Sequence, residues 1–198
     1  MIKWNFRERD YWITLTYPKD YRPTWEEMKD HAGKLVRKMR EKYKKQGWTL
    51  KYIYRLAIGS RGGRHIHILI NRESNEKTAT DLIITDLWEQ QWGHGHVNFR
   101  TTYNEGGYKQ LAEYLTKPLE EWEPDEVKRY HPSRNLIRKD PEVDEIKRRS
   151  LVDCDGTPRM PKAPKGYYVD PESIEVGINP ITHYAYRHYT LIKIKKRE

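Results

Sequence analysis

The sequence predicts an α+β fold, in which helices pack on a central antiparallel β-sheet and a carboxy-terminal extension adds one or more strands. Over residues 1–120, segments of strand character and segments of helical periodicity follow one another in the order β-α-β-β-α-β-α. Two consecutive strands are separated by a short glycine-rich turn, which indicates an antiparallel hairpin. A chain of 198 residues with 36% hydrophobic residues is long enough to bury a core.

The first strand, Trp12 to Tyr17, is rich in β-branched and aromatic residues. After a turn, Thr24 is predicted to cap a helix, and Glu27 completes a capping box. This helix is expected to run to about Gln46 and to end at Gly47. Its predicted core stripe comprises Met28, Ala32, Leu35, Val36, Met39 and Tyr43.

The other face of this helix is basic. It carries Lys34, Arg37, Lys38, Arg40, Lys42, Lys44 and Lys45. Lys38 and Lys42 are therefore candidates for contacts with nucleic-acid phosphates beside an active site. The alternative is an ordinary solvated helix face.

The hairpin comprises residues 49–58 and 64–71. Side chains alternate between the two faces of its second strand, so Ile66, Ile68 and Ile70 are predicted to be buried, and His65 and His67 share the opposite face. Two imidazoles on one face suit a divalent metal ion, although they can also be ordinary strand histidines. Arg61 and Arg64 at the turn are candidates for nucleic-acid contacts.

A second helix is expected over about Thr78 to Trp92, and glycines follow it. Its predicted core residues are Leu82, Ile83, Leu87 and Trp88. Residues 96–100 alternate as a further strand, with Val97 and Phe99 facing inward. His94 and His96 are predicted to lie in a turn and at a strand edge.

Residues 106–118 are predicted to form a short helix that glycines open and Pro118 closes. Its predicted core stripe is Tyr108, Leu111, Ala112 and Leu115. Gln110, Tyr114 and Lys117 share the opposite side, flanked by Glu113. A phenol and an ammonium group one turn apart suit a tyrosine nucleophile with a cationic helper, although a surface Tyr and Lys are the simpler interpretation.

Residues 121–198 are predicted to be a carboxy-terminal extension packed on the domain formed by residues 1–120. Pro141 to Arg149 is expected to be a short helix, Tyr167 to Val169 a strand, and His183 to Lys195 the longest late strand, returning to the same sheet. No Walker lysine motif occurs, so no helicase domain is expected.

Charge and composition favour a polyanionic partner. The formal net charge is +9, and 15 Tyr and 7 Trp stand against 2 Phe. Such aromatic side chains can stack on the bases of single-stranded nucleic acid. The single Cys154 excludes an internal disulfide, and no signal peptide or membrane-spanning run is visible, so a cytoplasmic protein is expected.

Three short segments resemble the motifs of the HUH endonucleases when taken in order. They are Trp12 to Tyr17, His65-Ile66-His67 and Tyr114 to Lys117. The resemblance spans roughly residues 10–120 and is closest to the single-tyrosine replication initiators (Rep proteins) of rolling-circle plasmids, phages and small circular DNA viruses. It implies that the histidines lie on a middle strand of the sheet and that the tyrosine helix packs against their face.

The resemblance also implies a chemistry. His65 and His67 would bind Mn²⁺ or Mg²⁺, Tyr114 would attack a DNA phosphate, and Lys117 would assist, with Gln110 and Glu113 positioning the tyrosine. The implied activity is sequence-specific nicking and rejoining of single-stranded DNA through a 5′-phosphotyrosine, which initiates rolling-circle replication. The implied partners are single-stranded DNA at a replication origin, including DNA folded as a hairpin, and a host helicase and polymerase.

One position departs from the family pattern. Ala57 stands where an acidic third metal ligand is expected, so His94, His96, Glu113 or a water molecule would have to complete the site. Several alternatives therefore stay open: an HUH transposase or relaxase, and a non-catalytic module that binds single-stranded nucleic acid. A 2H phosphoesterase is disfavoured because neither histidine motif supplies the required Ser or Thr.

Overall fold

The computed structural model describes residues 1–103, 108–124, 128–140, 151 and 159–194. These residues fall into two compact units, one that runs to Lys139 and one that begins at Asp140. Gly106 and Gly107, predicted to open the tyrosine helix, and the helix predicted over Pro141 to Arg149 lie outside the described residues. The predicted domain boundary at residue 120 stays a prediction.

The first unit is built on a five-stranded antiparallel sheet. In chain order it contains α1 (Ile2–Asn5), β1 (Tyr11–Thr16), α2 (Trp25–Lys45), β2 (Tyr52–Ile58), β3 (Arg64–Ile70), α3 (Thr80–Thr85), β4 (Val97–Thr101), α4 (Lys109–Thr116) and β5 (His131–Pro132). The strand order is β4-β1-β3-β2-β5, and every pairing is antiparallel. The predicted α+β class is confirmed, and β3 is the middle strand.

The long helix α2 forms as predicted. The Thr24 hydroxyl accepts a hydrogen bond from the Glu27 amide, and the Glu27 carboxylate accepts one from the Thr24 amide. Gly47 follows the helix end with φ +75°, a left-handed conformation that glycine adopts without a steric cost. All six residues of the predicted core stripe are buried.

The two faces of the sheet bury different helices. Ile66, Ile68 and Ile70 pack in one core with α2 and α3. Leu69 packs in a second core with α1 and α4. Because His65 and His67 alternate with the isoleucines along β3, they share the α4 face, as the resemblance implies.

The second predicted helix differs from expectation. The α-helix α3 ends at Thr85, and a π-helical turn continues from Asp86 to Gln91. Leu82 was predicted to be in the core, which is wrong, because this side chain is 61% exposed. Ile84 is buried in its place, since it lies four residues before Trp88 and hence on the same face of the helical segment.

Two histidine rings pack together on the α2 face. The His94 ring lies 4.2 Å from the His31 ring and 4.8 Å from Trp88, measured between centroids. Burial lowers the pKa of His94 to about 4, and the charges of His31 and Lys34 act in the same direction. Burial likewise lowers the pKa of His31. The fold therefore stabilises the neutral form of both rings.

This pair predicts a loss of stability in mild acid. The folded pKa of His94 lies below its unfolded value near 6.5, so its contribution is complete above pH 6.5 and is lost as the pH falls toward about 4. We expect on the order of 1 kcal/mol to be lost through His94 between pH 7 and 5, because the ring is partly exposed. Urea unfolding at both pH values, with chelator present, measures this.

The matched variants are His94→Gln and His96→Gln. His94→Gln should lose less stability than the parent chain between pH 7 and 5. His96 is almost fully exposed, so His96→Gln should follow the parent. An unchanged pH dependence in His94→Gln would contradict the assignment.

The second unit contains four short strands. These are β6 (Tyr167–Val169), β7 (Glu175–Ile178), β8 (Ala185–His188) and β9 (Leu191–Lys193). They form two two-stranded sheets, β6-β9 and β7-β8. The strand predicted over residues 167–169 is confirmed, whereas the one predicted over residues 183–195 is divided into β8 and β9. Of the described strands beyond residue 120, β5 joins the five-stranded sheet. None of the helices in the described part of the chain is long and apolar enough to cross a membrane.

Candidate active site

The histidine pair lies in the centre of the α4 face. His65 is paired with Thr16 on β1 and Ala57 on β2. His67 is paired with Thr14 and Arg55 in the same way. The two imidazole rings stand edge to face with their centroids 4.8 Å apart. Both rings therefore point out of the middle strand toward one site.

His67 is held in one orientation. Its ring stacks parallel to Trp12 at 5.4 Å, and its Nδ1 lies 3.1 Å from the Thr14 hydroxyl. The side chain is only 9% exposed, and burial lowers its pKa to about 3, with the charges of His65 and Arg55 acting in the same direction. Its Nε2 is buried without a hydrogen-bond partner among the described residues. A neutral imidazole with an unpaired nitrogen is the form that binds metal ions.

His65 is less deeply buried. Burial lowers its pKa, whereas a hydrogen bond with the Gly63 backbone and the Glu123 carboxylate raise it. The two histidines thus fit as two neutral nitrogen ligands. Within the ranges that the structure describes, no group of three His, Cys, Asp or Glu side chains is arranged to hold a metal ion.

The other predicted ligands lie elsewhere. The methyl group of Ala57 occupies the position across from His65. His94 packs against His31, His96 lies near Glu89, and Glu113 lies near Lys109. The histidine pair is the part of the predicted metal site that the structure brings together.

Tyr114 reaches the histidine pair from α4. Its ring stands edge to face with His67 at 4.9 Å and with Trp12 at 5.5 Å. The neighbouring Leu115 is buried in the second core and anchors the helix, while Tyr114 stays 37% exposed at the open side of the sheet. Burial raises the pKa of the Tyr114 phenol, and the Arg55 charge lowers it. The structure therefore brings the second and third sequence motifs into contact.

Arg55 is a site residue that the sequence reading missed. Its guanidinium carbon lies 5.9 Å from the centre of the Tyr114 ring. It donates hydrogen bonds to the backbone carbonyls of Tyr114 (3.1 Å) and Lys117 (2.8 Å), and it pairs with the Glu123 carboxylate at 3.3 Å. The signal was present in the sequence, because Arg55 is the only charged residue within β2.

Lys117 does not project from the helix beside Tyr114, so that part of the prediction is wrong. The helix ends at Thr116, and Lys117 has an extended backbone with ψ 139°. A residue before proline is driven out of the helical conformation, and Pro118 follows here. The Lys117 ammonium pairs with Glu120. A role for Lys117 in the chemistry stays a prediction.

The predicted nucleic-acid contacts occupy three places. Gln110 is exposed on α4, and its role stays a prediction. Arg61 and Arg64 line a cavity of about 440 Å³ next to His65. Lys38 and Lys42 lie on α2, which covers the opposite face of the sheet, and they are near Glu41 and Asp86. They are not beside the histidine pair, although contact with DNA elsewhere stays a prediction.

Comparison with known protein families gives a match over most of the first unit. The model of a family of replication-associated proteins of the ORF2 type matches residues 10–119, which contain β1, the histidine pair and the whole of α4. Searches of curated proteins and of solved structures found no significant match.

Proposed function

The chain belongs to the family of replication-associated proteins of the ORF2 type, and from this premise we propose that it nicks and rejoins single-stranded DNA at a replication origin. The observation that carries the proposal is the contact between the Tyr114 ring and His67, at 4.9 Å. It joins a nucleophilic group to a pair of metal-ligand side chains that are distant from it in the sequence. The product would be a 3′-hydroxyl from which a host polymerase starts rolling-circle synthesis.

The proposed reaction is a transesterification. The phenolic oxygen of Tyr114 forms a bond to phosphorus while the bond from phosphorus to the sugar 3′-oxygen breaks. The phenolic proton passes to solvent, and the 3′-oxygen takes up a proton and leaves as a hydroxyl group. One phosphate ester replaces another, so a later attack by a 3′-hydroxyl on the phosphotyrosine reverses the step and rejoins DNA.

The side chains of this site have distinct proposed roles. An unperturbed phenol has a pKa near 10, and burial raises that of Tyr114, so the phenolate needs a nearby cation. Arg55 supplies that positive charge, and Lys117 is a second candidate. His65 and His67 would hold Mn²⁺ or Mg²⁺, which when bound polarises the scissile phosphate. A cytoplasmic setting with a host helicase completes the proposal, because the sequence shows no helicase motif.

The test is formation of a covalent protein–DNA adduct. Single-stranded oligonucleotides tiled across the origin nearest the gene are incubated with the protein and Mn²⁺ and resolved on a denaturing gel. We expect Tyr114→Phe to lose the adduct by at least on the order of 10³-fold, because the attacking oxygen is gone. Tyr103→Phe is the matched control, since Tyr103 is 74% exposed and outside the site. A chelator should abolish the adduct as well.

Ala57 supports a second candidate function, a replication protein that binds single-stranded DNA without cutting it. The position across from His65 carries a methyl group in place of an acid. Tight binding with no adduct, in both the parent chain and Ala57→Glu, would favour this candidate over the nuclease. An adduct in the parent chain that persists in Tyr114→Phe would reject Tyr114 as the nucleophile.

A further inference from the structure

A basic cavity adjoins the histidine pair at the end away from Tyr114. We name it the tyrosine–arginine pocket. It is lined by Thr16, Tyr17, Pro18, Lys19, Tyr21, Arg22, Arg61, Gly63, Arg64 and His65. Four of these side chains are cationic, and two are tyrosines. No acidic side chain from the described part of the chain lines it. Its volume of about 440 Å³ lies within the usual range of small-ligand sites, roughly 300–1,000 Å³.

Specific contacts build the walls of this pocket. The Arg64 guanidinium donates to the Pro23 carbonyl at 3.2 Å and to the Gly62 carbonyl at 3.1 Å, so it ties the loop after β1 to the turn between β2 and β3. Gly62 has φ +76°, and a Cβ added there would lie 3.1 Å from the Arg22 guanidinium. The turn therefore keeps Arg22 close against its backbone.

The aromatic wall is also held in place. The Tyr17 and Tyr21 rings stand edge to face at 5.8 Å. The Tyr17 hydroxyl lies 3.2 Å from His31 Nδ1, which fixes the inner ring of the pair. Tyr21 is 38% exposed, so its ring has free surface on which a base can stack.

The pocket and the nucleophile lie at opposite ends of the histidine pair. Tyr114 contacts His67, whereas the pocket is bounded by His65, two residues back along β3. Two residues of a strand advance by about 6.6 Å, the length over which the scissile phosphate would sit. In phosphoryl transfer the attacking and leaving oxygens are in line on opposite sides of phosphorus. A phosphate attacked from Tyr114 therefore expels its 3′-oxygen toward the pocket.

We propose that the tyrosine–arginine pocket binds the nucleotide on the 5′ side of the nick, the one that leaves with the free 3′-hydroxyl. This inference rests on the proposed function and adds a subsite to it. Tyr21 stacks on the base, and the Arg22 and Arg61 guanidiniums contact the phosphate on the 5′ side of that nucleotide. The pocket thereby keeps the released 3′ end beside the phosphotyrosine, where it can attack again.

The test replaces single nucleotides of a cleaved oligonucleotide by abasic residues, one position at a time on both sides of the nick. For the parent chain, loss of the base immediately 5′ of the nick should lower the rate of adduct formation by about 5- to 150-fold, the usual effect of one stacked base. In Tyr21→Ala the intact oligonucleotide should show a similar decrease, and the abasic residue at that position should have little further effect. Arg61→Ala should weaken binding of the half-oligonucleotide that ends in the 3′-hydroxyl and leave the other half unchanged.

Each outcome bears on one proposal. Tyr103→Ala, the control, should retain the full abasic effect, since Tyr103 lies outside the pocket and the site. If the largest abasic effect falls on the 3′ side of the nick, or if Tyr21→Ala still responds fully to the abasic residue, the pocket assignment is overturned while the nuclease stands. If the parent chain forms no adduct with any oligonucleotide, the proposed function fails, and this inference fails with it.

Discussion

Replacing Arg55 by methionine is expected to lower the free energy of unfolding by about 3–5 kcal/mol. The change leaves the Glu123 carboxylate without its cationic partner, and that side chain is only 1% exposed. It also removes the hydrogen bonds from Arg55 to the carbonyls of Tyr114 and Lys117 at the end of α4. The same variant should form less covalent adduct in conditions where it is fully folded, because α4 carries the nucleophile.

A double-mutant cycle separates the charge effect from the packing effect. Arg55→Met combined with Glu123→Leu removes both charges, so the pair should regain part of the lost stability. Lys38→Met is the matched surface control, because Lys38 pairs with Glu41 in solvent, and it should cost less than about 1 kcal/mol. Urea unfolding measures all four chains. A loss under about 1 kcal/mol in Arg55→Met would show that the buried pair contributes little.

Gly95→Ala should destabilise the chain by about 2–4 kcal/mol, the sum of an overpacking cost and a backbone cost. A Cβ at this position would lie 2.5 Å from the Thr16 carbonyl oxygen, and the glycine has φ +129°. That oxygen also accepts a hydrogen bond from the Trp88 indole, so it cannot shift without breaking another contact. The strain therefore falls on the junction of β1 and β4, at the Thr16 end of the site.

Gly47→Ala is the matched control for this prediction. Gly47 also has a positive φ, at +75°, but a Cβ there would meet nothing within 4 Å. It should cost only the backbone term, about 1 kcal/mol. Thermal and urea unfolding of the two variants distinguish the terms. If the two alanine variants are equally destabilised, the clash with Thr16 is relieved by local movement.

Much of the fold could be predicted because its signals are local. The capping box of Thr24 and Glu27 and the six-residue core stripe of α2 lie within one helix, where periodicity alone assigns the faces. The alternation of His65 to Ile70 similarly assigned one face to burial and the other to the site. Leu82 shows the limit, because the π-helical turn after Thr85 makes the inward face include Ile84.

The candidate site was predicted in part. His67 and Tyr114 were identified from their motifs, and the structure brings them together. The cation beside Tyr114 was assigned to Lys117, one helical turn away in sequence, whereas the structure has Arg55 there. The π contact, the carbonyl bonds and the Glu123 pair of Arg55 all depend on β2 lying under α4, which no local pattern encodes.

By itself, the sequence determined which residues are available and which face of its own element each one occupies, because the periods of helices and strands are properties of the backbone. Tertiary structure alone decided the neighbours. Arg55 and Glu123 are 68 positions apart, and Thr14 and His67 are 53 apart. Such pairs form only when the sheet register and the seat of α4 are fixed, since burial makes an unpaired charge or imidazole costly and leaves few arrangements that satisfy it.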